Sequence, residues 1–313
     1  MSMTNQELLE KAITTTDLQG TGALTIEQAK EFWRMTFEAT PFSKLHRKEL
    51  RKATTGTIPK IGIGRRILRK QVEGADDNYR AGLVLGSVPY ACVDVRLPWE
   101  ITEKTIRENI EGENFEDTVM QLMTTQLGID LEDLHFNGDT SSSDPFLSIN
   151  DGWVKQIKNG TGAHVIDCTA DSGFGKATLL KILRALPGKY RGPNTKWLMS
   201  PTRRLLWIEY LTQRNTAAGD AALIGAGDQV NKPFGFEIVE VPSLADDIII
   251  LTDPQNFVAV NTYDVRIRKT VEGKEAIMED KRFYVIHFND DPIIQELDAC
   301  VLAYNIPTTL ATS

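Results

Sequence analysis

Residues 54–100 look folded, yet they carry too little material to form a core of their own. The stretch reads T-G-T-I-P-K-I-G-I-G-R-R-I-L-R-K, a polar turn E-G-A-D-D-N at 73–78, then G-L-V-L-G-S-V-P-Y-A-C-V-D-V-R-L-P-W-E. In the returning arm Val93, Val95, Leu97 and Trp99 alternate with Asp94, Arg96, Pro98 and Glu100, the period of two that marks a strand. A lone two-stranded ribbon is marginal in water. Glycines at 62, 64, 82 and 86 remove packing surface and suit a bent arm. Such an arm needs another surface to lie on, and a neighbouring copy of the same chain is the expected donor.

The 313 residues suffice for one large domain or two that share a core. Apolar content of 41% and charged content of 25% exclude wholesale disorder. No apolar run approaches the ~20 residues that span a bilayer, so no membrane role is expected. The start, M-S-M-T-N-Q-E-L-L-E, lacks the basic region and apolar core of a signal peptide. Cys92, Cys168 and Cys300 are widely separated and odd in number, which points to a reducing cytoplasm rather than a disulfide framework.

The net charge of −8 argues against indiscriminate binding to phosphates, but its distribution says more. Residues 44–70 hold ten bases against Glu49, whereas residues 100–139 hold eleven acids against Lys104 and Arg107. A charge run by itself is most simply a solvated face. Two opposed blocks also invite pairing between copies, and Arg65, Arg66, Arg69 and Lys70 are the candidate partners of Glu113, Glu116 and Asp117 on a neighbour.

Elsewhere the pattern mixes helices and strands without regular alternation, an α+β class. Thr25 and Gln28 form a capping box before an apolar stripe of Ile26, Ala29, Phe32, Trp33 and Phe37. A long helix is expected from Asn114 to Asn137, with Phe115, Val119, Leu122, Met123, Leu127, Leu131 and Leu134 on one side and Gly128 as a bend. A third helix spans 175–186, and Ser200-Pro201 opens a fourth after a strand at Lys196–Met199. Residues 217–232 read as a loop. Strands follow at 236–241, 248–251, 257–260, 265–269 and 283–288, and 297–306 is extended.

Enzyme motifs fail on inspection. Asp17 and Gly22 echo a calcium loop, but Gln19, Thr21 and Gln28 replace its carboxylates. In G-F-G-K-A-T at 173–178, Ala170 and Ala177 stand where a phosphate loop needs glycine and a hydroxyl. Gly62-Ile63-Gly64 and Gly225-Ala226-Gly227 lack a third glycine, having Ile67 and Val230 there. His46, His135, His164 and His287 show no zinc spacing, and no nucleophile elbow is present. Trp33, Trp99, Trp153, Trp197 and Trp207 read as core or interface anchors. No catalytic residue, cofactor or metal site is expected.

The order of elements resembles the tailed-bacteriophage major capsid proteins, whose HK97-like capsid fold is shared with encapsulin shells. The resemblance covers nearly the whole chain. It rests on A-L-T-I-E-Q-A-K-E-F-W, G-T-I-P-K-I-G-I-G-R-R-I-L, L-G-I-D-L-E-D-L-H-F-N-G-D and L-P-G-K-Y-R-G-P-N-T-K-W-L-M-S, in that order. It implies an N-terminal arm at 1–53 and an extended loop (E-loop) at 54–98 lying over an adjacent subunit. It further implies a peripheral domain with a spine helix at 99–191 and 263–295, and an axial domain at 192–262 and 296–313. The implied role is a structural subunit, not an enzyme, forming pentamers and hexamers of an icosahedral head around double-stranded DNA. Assembly would occur in a host bacterial cytoplasm, with a separate scaffolding protein, a portal and a decoration protein as partners. Lys60 and Lys70 are candidate donors for the crosslink that some members form, but no sequence pattern identifies an acceptor. An encapsulin shell, or an α+β enzyme or binding module without a recognisable motif, are the alternatives.

Overall fold

A computed structural model of the chain describes residues 25–38, 40–62, 70, 84–108, 115–213 and 232–311. The incomplete calcium loop before Thr25, the 73–78 turn, Asn114 and the Gly225 pair lie outside the described residues. Among them the elements run α1 (Ile26–Phe37), β1 (Arg47–Arg51), β2 (Thr55–Gly62), β3 (Val84–Ala91), β4 (Val93–Thr102), α2 (Glu103–Glu108) and α3 (Phe115–Asn137). They continue with α4 (Trp153–Asn159), β5 (His164–Asp167), α5 (Lys176–Ala185), β6 (Lys196–Met199), α6 (Pro201–Thr212), β7 (Ile238–Glu240), β8 (Ile249–Thr252) and β9 (Phe257–Thr262). The last are β10 (Arg266–Thr270), α7 (Lys274–Glu279), β11 (Lys281–Ile294) and β12 (Val301–Tyr304).

The expected capping box forms: Gln28 N–H donates to Thr25 Oγ1, and Thr25 N–H to the Gln28 side chain at 2.9 Å. The stripe behind it buries Ala29, Phe32, Trp33 and Phe37. The spine helix α3 runs unbroken through Gly128. Its buried side is Met120, Thr124, Leu127, Leu131 and Leu134, while Leu122 is 62% exposed. Leu122 was expected inside; steps of three and four from Leu127 reach Thr124 and Met120 instead. Thr124 tolerates that site because its Oγ1 donates to Met120 O at 2.9 Å. Gly138 ends the helix where a Cβ would lie 2.5 Å from Asn150 O, so only glycine permits this approach of the following loop.

Two five-stranded sheets organise the body. In the first, β11 is the axis: its first ten residues pair antiparallel with β4, its middle with β10, and its last five with β9, which also pairs parallel with β1. Helices α1 and α3 cover one face over Ala259, Val265, Ile267, Ile286 and Phe288. The second sheet has the order β5-β12-β8-β6-β7 and is buried on both faces, as its continuous apolar strands demand. Trp197, Met199, Ile249, Leu251, Val301 and Ala303 face α5 and α6. Leu198, Ile250 and Leu302 face Phe42, Phe136, Trp153 and Phe257.

Strand pairing cuts across three boundaries expected from sequence. The alternating segment 93–98 was assigned to the extended loop, but it is β4 and lies in the first sheet, because its apolar set Val95, Leu97 and Trp99 joins the α1–α3 core. Strand β5 pairs in the second sheet and helix α5 packs on it, rather than joining β4 and β10 in the first. Strand β9 pairs in the first. Strand β1, read only as part of a basic run, closes one edge of the first sheet.

Candidate assembly surface

Outside both sheets, β2 and β3 pair from Thr55↔Ala91 to Gly62↔Val84 as an isolated two-stranded ribbon. Its base is not unsupported, which corrects the expectation that only another copy shelters it. Ile58 and Tyr90 are buried against Val258, Val260 and Ile293 of the same chain. Ala91 N–H donates to Asp291 Oδ2 at 2.7 Å, and Lys60 Nζ lies 3.2 Å from Glu296 Oε2. Support ends near the far end of the described strands, where Leu85 is 74% exposed. The residues missed from sequence are thus Ile58 and Tyr90. Ile58 sits beside Pro59 and Tyr90 beside Pro89, and neither had a visible partner without knowledge of β9 and β11.

Asp291 sits at the joint between ribbon and sheet. Burial pushes its carboxyl up to about 7, reinforced by the charge of Asp290 and opposed by the Ala91 N–H. A value above the ordinary carboxylate ~4 means that the folded chain holds the proton longer than the unfolded chain. Asp291 therefore costs stability progressively as pH rises from ~4 to ~7, and the cost then levels off. Asp291→Asn keeps an acceptor for Ala91 and removes the charge. Its melting temperature should exceed that of the native chain at about pH 8 and match it at about pH 4; a pH-independent difference in calorimetry would contradict this assignment.

The predicted charge sites fall unevenly. Arg65, Arg66, Arg69 and Glu113 lie outside the described residues. Lys70 is exposed, and Glu116 and Asp117 occupy the first turn of α3, where the helix dipole favours acids. Other members of the two blocks are neutralised within the chain. Arg51 pairs with Glu49 at 3.1 Å, Lys60 with Glu296, Lys281 with Glu100 at 2.9 Å, and Lys155 with Asp139 at 2.6 Å. Glu132 is buried against Thr40 and Ser243, and burial raises its carboxyl. The blocks are therefore less available to a neighbour than their sequence totals suggest.

The glycine-rich turn at 173–178 is filled by the chain itself. Phe174 N–H donates to Thr309 O, Ala311 N–H donates to Phe174 O, and a Cβ on Gly175 would lie 2.7 Å from the Tyr210 ring. This leaves no cradle for phosphate. Among the described residues no three His, Cys, Asp or Glu side chains gather as metal ligands, and no helix is long and apolar enough to cross a membrane.

No family model matches the chain. Over 314 residues, however, it is 30% identical to "Putative prophage capsid protein YqbE" of Bacillus subtilis (strain 168), covering 95% of this chain and 97% of the relative. The chain belongs to the phage major capsid proteins. The capsid protein shares its fold with the satellite phage P4 procapsid structure (TM-score 0.65, 17% identity, 89% of this chain and 99% of that one). It also matches the capsid of a native GTA particle (TM-score 0.60, 12% identity, 86% and 90% covered). The SrpI encapsulin of Synechococcus elongatus PCC 7942 superposes more loosely (TM-score 0.53, 9% identity, 88% and 91% covered). The fold is HK97-like and α+β, and the capsid protein is structural rather than enzymatic.

Proposed function

We propose that this capsid protein forms the pentamers and hexamers of an icosahedral phage head enclosing double-stranded DNA. The observation that carries the reading is the ribbon: β2 and β3 are anchored at their base and leave Leu85 near their far end exposed, in a chain similar to a prophage capsid protein along nearly its full length. A closed shell of identical copies needs heterologous contacts, and an arm anchored at one end can adapt them to five- and six-fold surroundings. The net negative chain suits DNA that must move without sticking. The virion is the proposed location, after assembly in the host bacterial cytoplasm. A separate scaffold, a portal and a decoration protein are the proposed partners; the P4 procapsid structure includes a size determination protein.

In this reading the first sheet with α1 and α3 is the peripheral domain, the second sheet with α5 and α6 the axial domain, and β2–β3 the extended loop. Arg65, Arg66, Arg69 and Lys70 of one copy meet Glu113, Glu116 and Asp117 of the next. Each exposed pair contributes only about 0–1 kcal/mol, so repetition over the shell makes the set decisive. Reversing the four bases to Glu should abolish shells in electron micrographs while the circular dichroism of the subunit stays native. Normal shells from that variant would defeat the pairing. Nuclease-protected DNA in purified native particles supports a head, whereas a protein cargo in its place would indicate an encapsulin.

A further inference from the structure

A hollow of about 320 Å3 lies where the start of α5, one side of α6 and the turn before β7 meet. That volume falls at the small end of the range of ligand clefts. Trp207 and Leu211, one turn apart on α6, and Phe234 give it apolar walls, while Lys176 and Lys232 supply positive charge.

The fold fixes these walls. Trp207 is 4% exposed and stacks on Tyr210 at 5.7 Å. Tyr210 packs in turn on Gly175, where a Cβ would lie 2.7 Å from its ring. Trp197 Nε1 donates to Pro233 O at 3.1 Å and pins the turn to β6. Within that turn Phe234 holds φ at 56° and ψ at 25°, a left-handed conformation unfavourable to a phenylalanine. A glycine would adopt it freely, yet here a ring is held 39% exposed beside the hollow. Strain kept at a cavity points to function.

Two polar features of the hollow have no use within the chain. Trp207 Nε1 is buried without a hydrogen-bond partner, and native structures rarely leave such a donor idle. Lys176 is exposed and has no ion pair or hydrogen bond among the described residues. It opens α5, whose N-cap Gly175 offers no side-chain acceptor, so the helix dipole adds to the positive charge. The backbone of Phe174 is already engaged by Thr309 and Ala311, so recognition of an anion here falls to side chains. An indole N–H, two ammonium groups and exposed rings fit a flat apolar body that carries one carboxylate.

We propose that this hollow binds a small aromatic carboxylate, with its ring between Trp207 and Phe234 and its carboxylate on Lys176, Lys232 and the Trp207 N–H. Bound there, the ligand ties α5, α6 and the turn before β7 together. This binding is independent of whether copies close into shells.

Isothermal titration calorimetry of the full chain with indole-3-acetate provides the test. The native chain should bind it with a dissociation constant of about 1 mM or tighter. Indole-3-acetamide, the same ring without the charge, should bind at least about tenfold more weakly. The double variant K176E/K232E reverses two exposed charges; it should lower affinity for the acid at least about tenfold and change that for the amide less than about threefold. W207F removes the donor and should weaken the acid at least about threefold, with circular dichroism to confirm folding. F234G should weaken both ligands while its melting temperature stays at or above native, because glycine relieves the strained backbone. A lower melting temperature with unchanged affinity would make Phe234 a packing residue and overturn its role. Three further results would overturn the proposal: no binding by the native chain up to about 10 mM acid, equal affinity for acid and amide, or unchanged affinity in K176E/K232E. Displacement of indole-3-acetate by inorganic phosphate would do so as well, since it would make the hollow a phosphate site.

Discussion

Joining Gly62 to Val84 through Asn-Gly, with residues 63–83 removed, should abolish shells and leave a folded subunit. Gly62 and Val84 are a directly paired couple at the far end of the described ribbon, so a two-residue type I′ turn closes it without altering register. The anchors lie on the near side of the cut: Ile58 and Tyr90 on Val258, Val260 and Ile293, Lys60 beside Glu296, and Ala91 on Asp291. Losing nothing buried among the described residues, the subunit should melt within a few degrees of native, the shift that about 1 kcal/mol produces in a chain of this size. Shell yield should fall at least about a hundredfold, since every contact between copies loses the ribbon's far half. Sedimentation measures the yield and calorimetry the folding. Shells of normal yield would show that the ribbon's reach is dispensable.

Asp290→Ala should be the most damaging single change to the body, costing about 3–5 kcal/mol. Its carboxylate is fully buried and accepts from His135 Nε2 at 2.9 and 3.0 Å and from Asn261 Nδ2 at 2.8 Å, with Asn150 Nδ2 at 3.4 Å. Alanine leaves these donors buried without an acceptor, and each orphan costs roughly 1–3 kcal/mol. Asp290 is also where β11 changes partner, paired with Val93 of β4 on one side and Asn261 of β9 on the other. The site ties the spine helix to the platform on which the ribbon stands. Urea midpoints measure the loss, and Asp290→Asn, which retains one acceptor oxygen, should lose less. A cost below about 1 kcal/mol for Asp290→Ala would mean that the network is dispensable.

Local signals carried much of this architecture. The capping box at Thr25, the strand at Lys196–Met199 and the Ser200-Pro201 helix start involve only neighbours in sequence, and the structure places them as read. The N-cap hydroxyl of Ser200 accepts from Arg203 N–H at 3.1 Å. What escaped were long-range partners. Arg203 looks like a surface residue, yet it is fully buried, its guanidinium donating to Asp246 O, Pro307 O and Ile306 O at 2.7–3.0 Å. Leu205, two residues on, is 64% exposed. Asp246, 43 residues on, and the C-terminal segment, a hundred residues away, together supply the carbonyls that make burial of Arg203 tolerable.

The same division holds for the assembly surface. The polar alternation Asp94, Arg96, Pro98, Glu100 was evident as one strand face. That Arg96 stands beside His287 and Arg266 depends on β11 and β10, nearly two hundred residues later. The charge blocks were visible as totals, but Glu132 belongs to the buried interior and Lys60 to the ribbon's own anchor. Composition counts charges; it does not reveal which of them the fold has already neutralised.

An electron cryomicroscopy reconstruction of particles assembled from the native chain tests the central claim most directly. It should show closed shells in which residues 63–83 of each copy lie against an adjacent copy, while Ile58 and Tyr90 stay on their own. Particles in which that segment folds back onto its own subunit, or a preparation that remains monomeric with every known neighbour gene co-expressed, would contradict the account.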